Sequence, residues 1–483
     1  MKKIQKRTML CIVLCMVFVL GIIYFLFEYS MNIDKWTQEN YYLAIGYTPI
    51  TNYDIIMSDS NENSTTNYYT DDKKKEVLYV RGNLVDRNGV SLAVVNENGV
   101  AYNSSATIRT AMLHAVGDKY SFISTGALKS LSDNFSRYST VEGEYAATDN
   151  GNTVALSIDS SVNQIALSAL GSYKGTVAVY NYKTGEILCM VSTPSFDPEN
   201  VPADIETNPA YSGAYLNRFY SSTFTPGSTM KILTLEAAID TIPDIFTQTF
   251  NCTGSYKIGE QTVNCTGVHG NQDLYKAYAN SCNSAFAQIA LQLEPEIMEK
   301  LVANGGITKS YIIDDKIHTA KGSFDFSGGE EFQFAWSCIG LHKDLVNPCS
   351  LLTYLGAIAN GGASTVPTTL LNVTDVNGDI IKTANTESTS KLISADTAEK
   401  MKDIMVKTTT ELNMGYQASR FNVEIGAKTG TIDRADGGMN GWFVGFVNEE
   451  EYPYAFVVYV EEGGYGAKLP GDIAAAVINA LCK

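Results

Sequence analysis

The chain is poor in histidine and in positive charge, and each shortage argues against a class of function. Its four histidines are His114, His269, His318 and His342. None forms an HExxH arrangement or part of a recognisable Cys/His ligand cluster, so no metal is assigned. Lys and Arg together number 35 against 52 Asp and Glu, leaving a formal net charge of −17. Such a chain repels nucleic acid and anionic lipid, so a basic groove for a charged polymer is not expected, and no nucleic-acid partner is assigned. No internal repeat is evident, and nothing in the sequence implies a cofactor. The rest is ordinary: 45% hydrophobic and 18% charged residues describe a globular protein, and 483 residues exceed one typical core.

What is present begins at the N-terminus. Lys2, Lys3, Lys6 and Arg7 precede an uncharged apolar run from Thr8 to Phe27, which ends at Glu28. At about 1.5 Å per residue the run matches the roughly 30 Å hydrocarbon layer of a bilayer. The basic flank reads as a cytoplasmic tail (1–7), the run as a single-pass anchor (8–27), and everything after it as extracellular. A cleaved signal peptide is the rival reading. It normally has a shorter apolar region and a small-residue cleavage site, whereas the exit here reads Tyr24-Phe25-Leu26-Phe27-Glu28-Tyr29. Of nine cysteines, Cys11 and Cys15 fall in the run, leaving an odd number outside. Cys252 and Cys265 each sit in an Asn-Cys-Thr-Gly tetrapeptide. A hairpin bringing them together could carry a disulfide in an oxidising exterior; the alternative is two reduced cysteines capping a loop.

Residues 50–76 are polar and read as a flexible segment or long exposed loop. Arg87-Asn88-Gly89 between two apolar runs predicts a β-hairpin, and helical patterning follows over 105–131. After the break at Asp149-Asn150-Gly151-Asn152 come a strand at VALSI, a helix from Ser160 to Gly171, and a hairpin turning at Tyr182-Lys183-Thr184-Gly185. Residues 224–240 and 273–293 read as apolar helices. GWFVGFVN and YAFVVYVEE read as two strands, with a closing helix at GDIAAAVINALCK. Antiparallel strands at both ends of a region with central helices predict an α+β domain whose sheet is assembled from distant segments.

Ser228 and Lys231 lie three apart after the turn Thr225-Pro226-Gly227, so they share one helix face at a helix start. A serine needs a base, and a desolvated lysine can be one. The free N–H groups of a helix N-terminus suit an oxyanion. Alone the pattern is weak, and a second SxxK stands at Ser388–Lys391 in a polar stretch that reads as surface loop. Ser281-Cys282-Asn283 lies within the apolar stretch Asp273–Leu293, and Lys428-Thr429-Gly430-Thr431 follows the strand-like FNVEIGA. Ser132-Asp133-Asn134 and Lys183-Thr184-Gly185 are decoys for these two, and each such triplet is more often a cap, a turn or a solvated face. Order separates them: S-x-x-K, then S-x-N, then K-T-G is the serine acyl-enzyme pattern. No SxxK precedes Ser132, whereas Ser228, Ser281 and Lys428 occur in sequence.

These motifs closely resemble the transpeptidase domain of penicillin-binding proteins. TVALSIDSSVNQIALSAL with GTVAVYNYKTGEILCMVSTPSFDPEN (153–200), NRFYSSTFTPGSTMK (217–231), Ala359-Asn360-Gly361-Gly362 and GWFVGFV (441–447) are similar to further family segments. Arg81-Gly82-Asn83-Leu84-Val85-Asp86-Arg87-Asn88-Gly89 resembles the signature of the class B, monofunctional branch. Residues 28–150 are also too few for the glycosyltransferase domain of bifunctional relatives. The likeness covers roughly residues 77–483. It departs from the family at Gly340-Leu341-His342 ahead of Val346-Asn347-Pro348, at Ala427 before the lysine, and at Cys282, read as packed and inert.

The resemblance implies an α+β penicillin-binding/β-lactamase-like transpeptidase domain (151–483), an antiparallel sheet flanked by helices. It implies a smaller N-terminal pedestal, dimerisation-like domain (28–150) ahead of it, beyond one transmembrane helix. It also implies a peptidoglycan D,D-transpeptidase with minor D,D-carboxypeptidase activity. Ser228 would attack the penultimate D-alanine of a D-Ala-D-Ala stem, with Lys231 as base and Ser281 as proton relay to the leaving D-alanine. Asn283 would bind the substrate amide, and Lys428 would supply positive potential. Thr429 and Thr431, flanking Gly430, would hold the terminal carboxylate, with the N–H groups of Ser228 and Thr431 as oxyanion hole. The implied partners are peptidoglycan stem peptides, β-lactam antibiotics, the bacterial cell membrane, and proteins of the division or elongation machinery. A β-lactamase, a β-lactam sensor and a non-catalytic scaffold are the rivals. The long segment before Ser228 argues against the first, the missing HExxH against the second, and the intact polar set against the third.

Overall fold

The computed structural model describes residues 15–27, 82–96, 99–135, 138–139, 144–145, 151–326, 330–412 and 418–483. The segment 50–76, expected to be flexible, and Arg81 lie outside the described residues. Residues 15–27 form a helix with exposed apolar side chains, inside the stretch expected to be an anchor. No described helix is long and apolar enough to cross a membrane; residues 8–14 lie outside the described ones.

The centre of the molecule is a five-stranded antiparallel sheet built from both ends of the region 151–483. Its order is Ile425–Asp433, Met439–Val447, Tyr454–Val460, Gly175–Asn181 and Ile187–Thr193. Strand side chains alternate between faces, and the two faces bury two different cores. Val177, Val179, Phe443, Phe456 and Val458 pack on one side with Ile473 and Ile478 of the C-terminal helix Leu469–Leu481. Tyr180, Trp442, Val444 and Val457 belong to the larger core on the other side. That second face receives the helix Pro348–Ala359, buried from Pro348 to Ile358, as expected of a helix apolar all round. Beyond it lies the helix Lys231–Thr241, buried from Lys231 to Ala238. In the first strand Ile425 and Ala427 join the C-terminal-helix core. Lys428, Gly430 and Ile432 therefore face the helical layer, where Ser228 sits.

A second, six-stranded sheet links the N-terminal region to this body. Gly82–Val85 and Ser91–Asn96 form the expected hairpin, with Gly89 at φ +81° in its turn. Gly82–Val85 then pairs in parallel with Asn152–Leu156, which pairs with Leu370–Thr374. The sheet thus takes strands from both sides of residue 150, with no gap in its ladder there. Asp86 locks the corner: its carboxylate accepts from the Asn88 and Val90 N–H groups and from the N–H and hydroxyl of Ser160.

One helix expectation changes. Residues 273–293 are two helices, Leu274–Ala279 and Asn283–Ala290, rather than one. Ser281 lies between them at φ +49°, and Cys282 caps the second helix by accepting the Ala285 N–H at 3.3 Å. The left-handed turn breaks the helix where apolar periodicity alone runs through. The K-T-G triplet also lies inside its strand, Ile425–Asp433, rather than after it.

Candidate active site

Three elements bring the polar residues together. Gly227–Met230 forms a short 3-10 turn that runs directly into the helix Lys231–Thr241 and leaves Ser228 half-buried at its mouth. Gly227 adopts φ +53°, and a Cβ there would lie 2.9 Å from Ile432. Gly340 supports the turn from behind. Its carbonyl accepts the Gly227 N–H at 3.0 Å, and a Cβ on Gly340 would lie 2.2 Å from the Gly227 oxygen. Trp442 Nε1 donates to the Thr225 carbonyl at 3.0 Å, tying the same turn to the sheet.

Lys231 is fully buried, and its ammonium nitrogen is the hub of the site. Nζ lies 3.1 Å from Ser228 Oγ and 3.2 Å from Ser281 Oγ. It donates at 2.6 Å to both the Ser281 carbonyl and Asn283 Oδ1. Burial pushes its pKa down to about 7, opposed by the nearby Cys265 and Cys282 sulfurs. A neutral amine has two N–H donors and one lone pair. The Ser281 carbonyl and Asn283 Oδ1 take the two donors, which leaves the lone pair for the Ser228 hydroxyl proton. That is the arrangement an activated serine requires.

Lys428 donates from the opposite side, at 2.8 Å to Ser281 Oγ and 3.1 Å to the Thr429 carbonyl. Burial, and then the charge of Lys231, lower its pKa well below the usual lysine value. Both ammonium groups lie over aromatic faces, Lys231 5.5 Å from the Phe286 ring centre and Lys428 5.7 Å from that of Tyr278. Asn283 is engaged at both ends, since its Nδ2 donates to the Asn264 carbonyl at 3.0 Å. Gly430 passes close beneath the Ser228 turn, where a Cβ would meet the Pro226 oxygen at 2.9 Å. Thr429 and Thr431 are half-buried on the same strand, and Thr431 Oγ1 accepts the Gly466 N–H at 3.2 Å. Gly340, Gly466 and Trp442 Nε1 were not anticipated as supports; their roles depend on contacts made only after folding.

The competing triplets fall elsewhere. Ser132–Asn134 is a 3-10 turn whose Asp133 pairs with Lys316 at 2.6 Å. Lys183-Thr184-Gly185 turns a hairpin, with Asn181 Oδ1 accepting the Lys183 and Thr184 N–H groups.

Two sequence expectations about cysteine are corrected. Cys252 and Cys265 are free thiols and are not joined in a disulfide. A Cys/His cluster does exist: the ligand atoms of Cys252, Cys265, His269 and Cys282 all lie within 4.8 Å of one another. The Cys252 and Cys265 sulfurs are each 3.5 Å from His269 Nδ1, and Cys265 Sγ is 3.7 Å from Cys282 Sγ. Its hydrogen bond with Cys282 lowers the Cys265 thiol below the usual thiol value. The legible signal was the full spacing C-x12-C-x3-H-x12-C, which ends on the middle residue of the S-x-N triplet.

A serine within reach of a buried, deprotonatable lysine, with a second serine and a second lysine completing the ring, is the constellation of a serine acyl-transferring enzyme. Residues 175–482 match the family model of the penicillin binding protein transpeptidase domain, and the chain belongs to that family. Among curated proteins it is 26% identical over 362 residues to the probable peptidoglycan D,D-transpeptidase PenA of Neisseria flavescens, covering 68% of this chain and 82% of that one. It is 26% identical over 358 residues to peptidoglycan D,D-transpeptidase PbpA of Mycolicibacterium smegmatis, covering 68% and 71%. Among solved structures, penicillin-binding protein A of M. tuberculosis as a ceftriaxone acyl-enzyme superposes with a TM-score of 0.73 at 21% identity, covering 85% of this chain and all of that one. The D,D-transpeptidase domain from Eggerthella lenta gives 0.71 at 24% identity, covering 84% and 99%.

Proposed function

We propose that this protein is a membrane-anchored peptidoglycan D,D-transpeptidase that forms its acyl-enzyme on Ser228. The observation that carries the reading is the position of Lys231 Nζ, buried and 3.1 Å from Ser228 Oγ, with both its N–H donors already engaged. Lys231 takes the Ser228 proton as Oγ attacks the penultimate D-alanine carbonyl. The oxyanion develops between the backbone N–H groups of Ser228 and Thr431, where fixed donors stabilise charge better than water does. Collapse of the adduct breaks the peptide bond. Ser281, held between Lys231 and Lys428, passes a proton to the departing D-alanine amine. Lys428 and the Thr429 and Thr431 hydroxyls hold the terminal carboxylate. Asn283 positions Lys231 through Oδ1 and keeps one Nδ2 hydrogen for the substrate amide. An amine from a neighbouring stem then attacks the ester and restores Ser228.

β-Lactams act as mimics of D-Ala-D-Ala that stop at the acyl-enzyme, a reading supported by the acyl-enzyme form of a solved structural neighbour. Residues 8–27 serve as the single-pass anchor, supported by their uncharged apolar sequence behind Lys2, Lys3, Lys6 and Arg7. That topology places the catalytic domain (151–483) outside the cell. The region 28–150 acts as a pedestal that docks division or elongation proteins. A transfer assay tests the activity: a D-Ala-D-Ala peptide is offered with an amine acceptor, and products are separated by mass. Amide product in excess of hydrolysis is expected. Hydrolysis alone, with rapid turnover of penicillin, would instead indicate a β-lactamase-like enzyme.

A further inference from the structure

We propose that Cys252, Cys265, His269 and Cys282 bind one zinc ion in a closed tetrahedral site that holds the Ser281–Asn283 turn in its working position. The four ligands come from different pieces of chain. Cys252 ends the strand Phe250–Cys252, and Cys265 follows the hairpin strand Gln261–Asn264. His269 precedes the strand Gly270–Gln272, whose Gly270 pairs with Cys252. Cys282 caps the helix Asn283–Ala290.

Their separations suit a metal. With Zn–S near 2.3 Å and Zn–N near 2.0–2.1 Å, a tetrahedron has S···S edges of about 3.8 Å and S···N edges of about 3.5 Å. The Cys265–Cys282 sulfurs are 3.7 Å apart, and Cys252 and Cys265 each lie 3.5 Å from His269 Nδ1. Hydrogen bonding alone leaves this arrangement frustrated. One ring nitrogen carries either one proton or one lone pair, yet two thiols converge on it. A cation at their centre satisfies all four atoms, and three cysteines with one histidine form a structural zinc set with no place left for water. Binding releases the thiol protons and leaves thiolates on the metal. The Ala285 N–H, 3.3 Å from Cys282 Sγ, then supports a thiolate at a helix N-terminus.

The position gives the ion a task. Cys282 stands between Ser281 and Asn283, the two residues that fasten Lys231. Asn283 also donates to the carbonyl of Asn264, the residue before Cys265. The surrounding strands, Phe250–Cys252, Ser255–Ile258, Gln261–Asn264 and Gly270–Gln272, pair only two by two. Such ribbons are marginal without a further clamp.

The test uses the full chain purified under reducing conditions without chelator. Elemental analysis should find one zinc per chain, and Cys252→Ser and Cys265→Ser should each lose it. Cobalt added to chelator-stripped wild type should give thiolate-to-cobalt charge-transfer bands and tetrahedral d–d bands, a readout independent of catalysis and of variant folding. Stripping should slow penicillin acylation about tenfold or more, since a displacement near 1 Å can cost roughly 100-fold, and zinc should restore it. Three results would overturn the site: no zinc and no cobalt bands in reduced wild type, full zinc in both serine variants, or the cysteines recovered as disulfides. Acylation unchanged after stripping would overturn the positioning role. The metal readouts stand whether or not the chain is a transpeptidase.

Discussion

The two serines of the site are held by different means. Ser228 rides on a turn wedged between Gly340, Gly430 and Trp442 and continues into a helix buried over two turns. Ser281 rides on a left-handed turn between two short helices, beside two-stranded ribbons of three or four residues per strand. The first arm is fixed by apolar burial and close backbone approach. The second arm is also flanked by buried apolar helices, Leu274–Ala279 and Asn283–Ala290, but the Ser281 turn itself is fastened by polar contacts to Lys231 and Lys428 and, on the proposal above, by a metal at Cys282. Both serines thus rest on one core, and the difference lies in the turns that carry them, one held by close backbone approach and the other by polar contacts. The lysine between them reads both turns, because its hydrogen bonds run to each.

Substitutions can break this contrast, beginning with the largest effect. Ser228→Ala removes the proposed nucleophile, and fluorescent penicillin labelling should vanish while the Co²⁺ spectrum of the other arm persists. Lys231→Arg keeps the charge but cannot lose a proton, so the acylation rate should fall by about 10²–10⁴-fold. In wild type that rate should rise with pH through about 7, because burial holds Lys231 there and only the neutral amine is a base. The stability sign follows from the same burial. A lysine with a lowered folded-state pKa favours the native state above its unfolded value of 10.5, and this contribution is lost as pH falls through about 7. Chemical denaturation between pH 6 and pH 10 checks this direction.

Leu355 is wholly buried on the central helix, and Leu355→Ala should cost roughly 2–5 kcal/mol in denaturant titration. Acylation of the still-folded fraction should stay near wild type. Gly340→Ala should do the reverse. It places a Cβ 2.2 Å from the Gly227 oxygen at φ +86° and should cost roughly 1–3 kcal/mol, with a large loss of acylation. The smallest effect should come from Lys316→Ala, which removes an exposed pair with Asp133 and should cost about 0–1 kcal/mol. A Leu355→Ala protein whose residual folded fraction lost acylation would erase the distinction between core and site.

The local half of this picture was legible in the sequence, and the assembled half was not. Ser228 and Lys231 are one helix turn apart, so their proximity follows from spacing alone. The strands over 175–193 and 439–460 announce themselves by long apolar runs, and their pairing follows from hairpin signals. The break at Ser281 is invisible because Leu274–Ala279 and Asn283–Ala290 are both apolar and serine does not announce a positive φ. The four-ligand cluster depends on Gly270 pairing with Cys252, a register that no local pattern specifies. The six-stranded sheet is likewise non-local, joining Gly82–Val85 to Asn152–Leu156 and Leu370–Thr374. Loop closures of that kind are set by tertiary packing rather than by windows of sequence.

The most direct test of the account is peptide mass mapping after incubation with penicillin. It predicts a single adduct on the peptide containing Ser228, absent in Ser228→Ala and formed faster above pH 7 than below it. An adduct on the peptide containing Ser281 or Ser388, or one that survives Ser228→Ala, would contradict it.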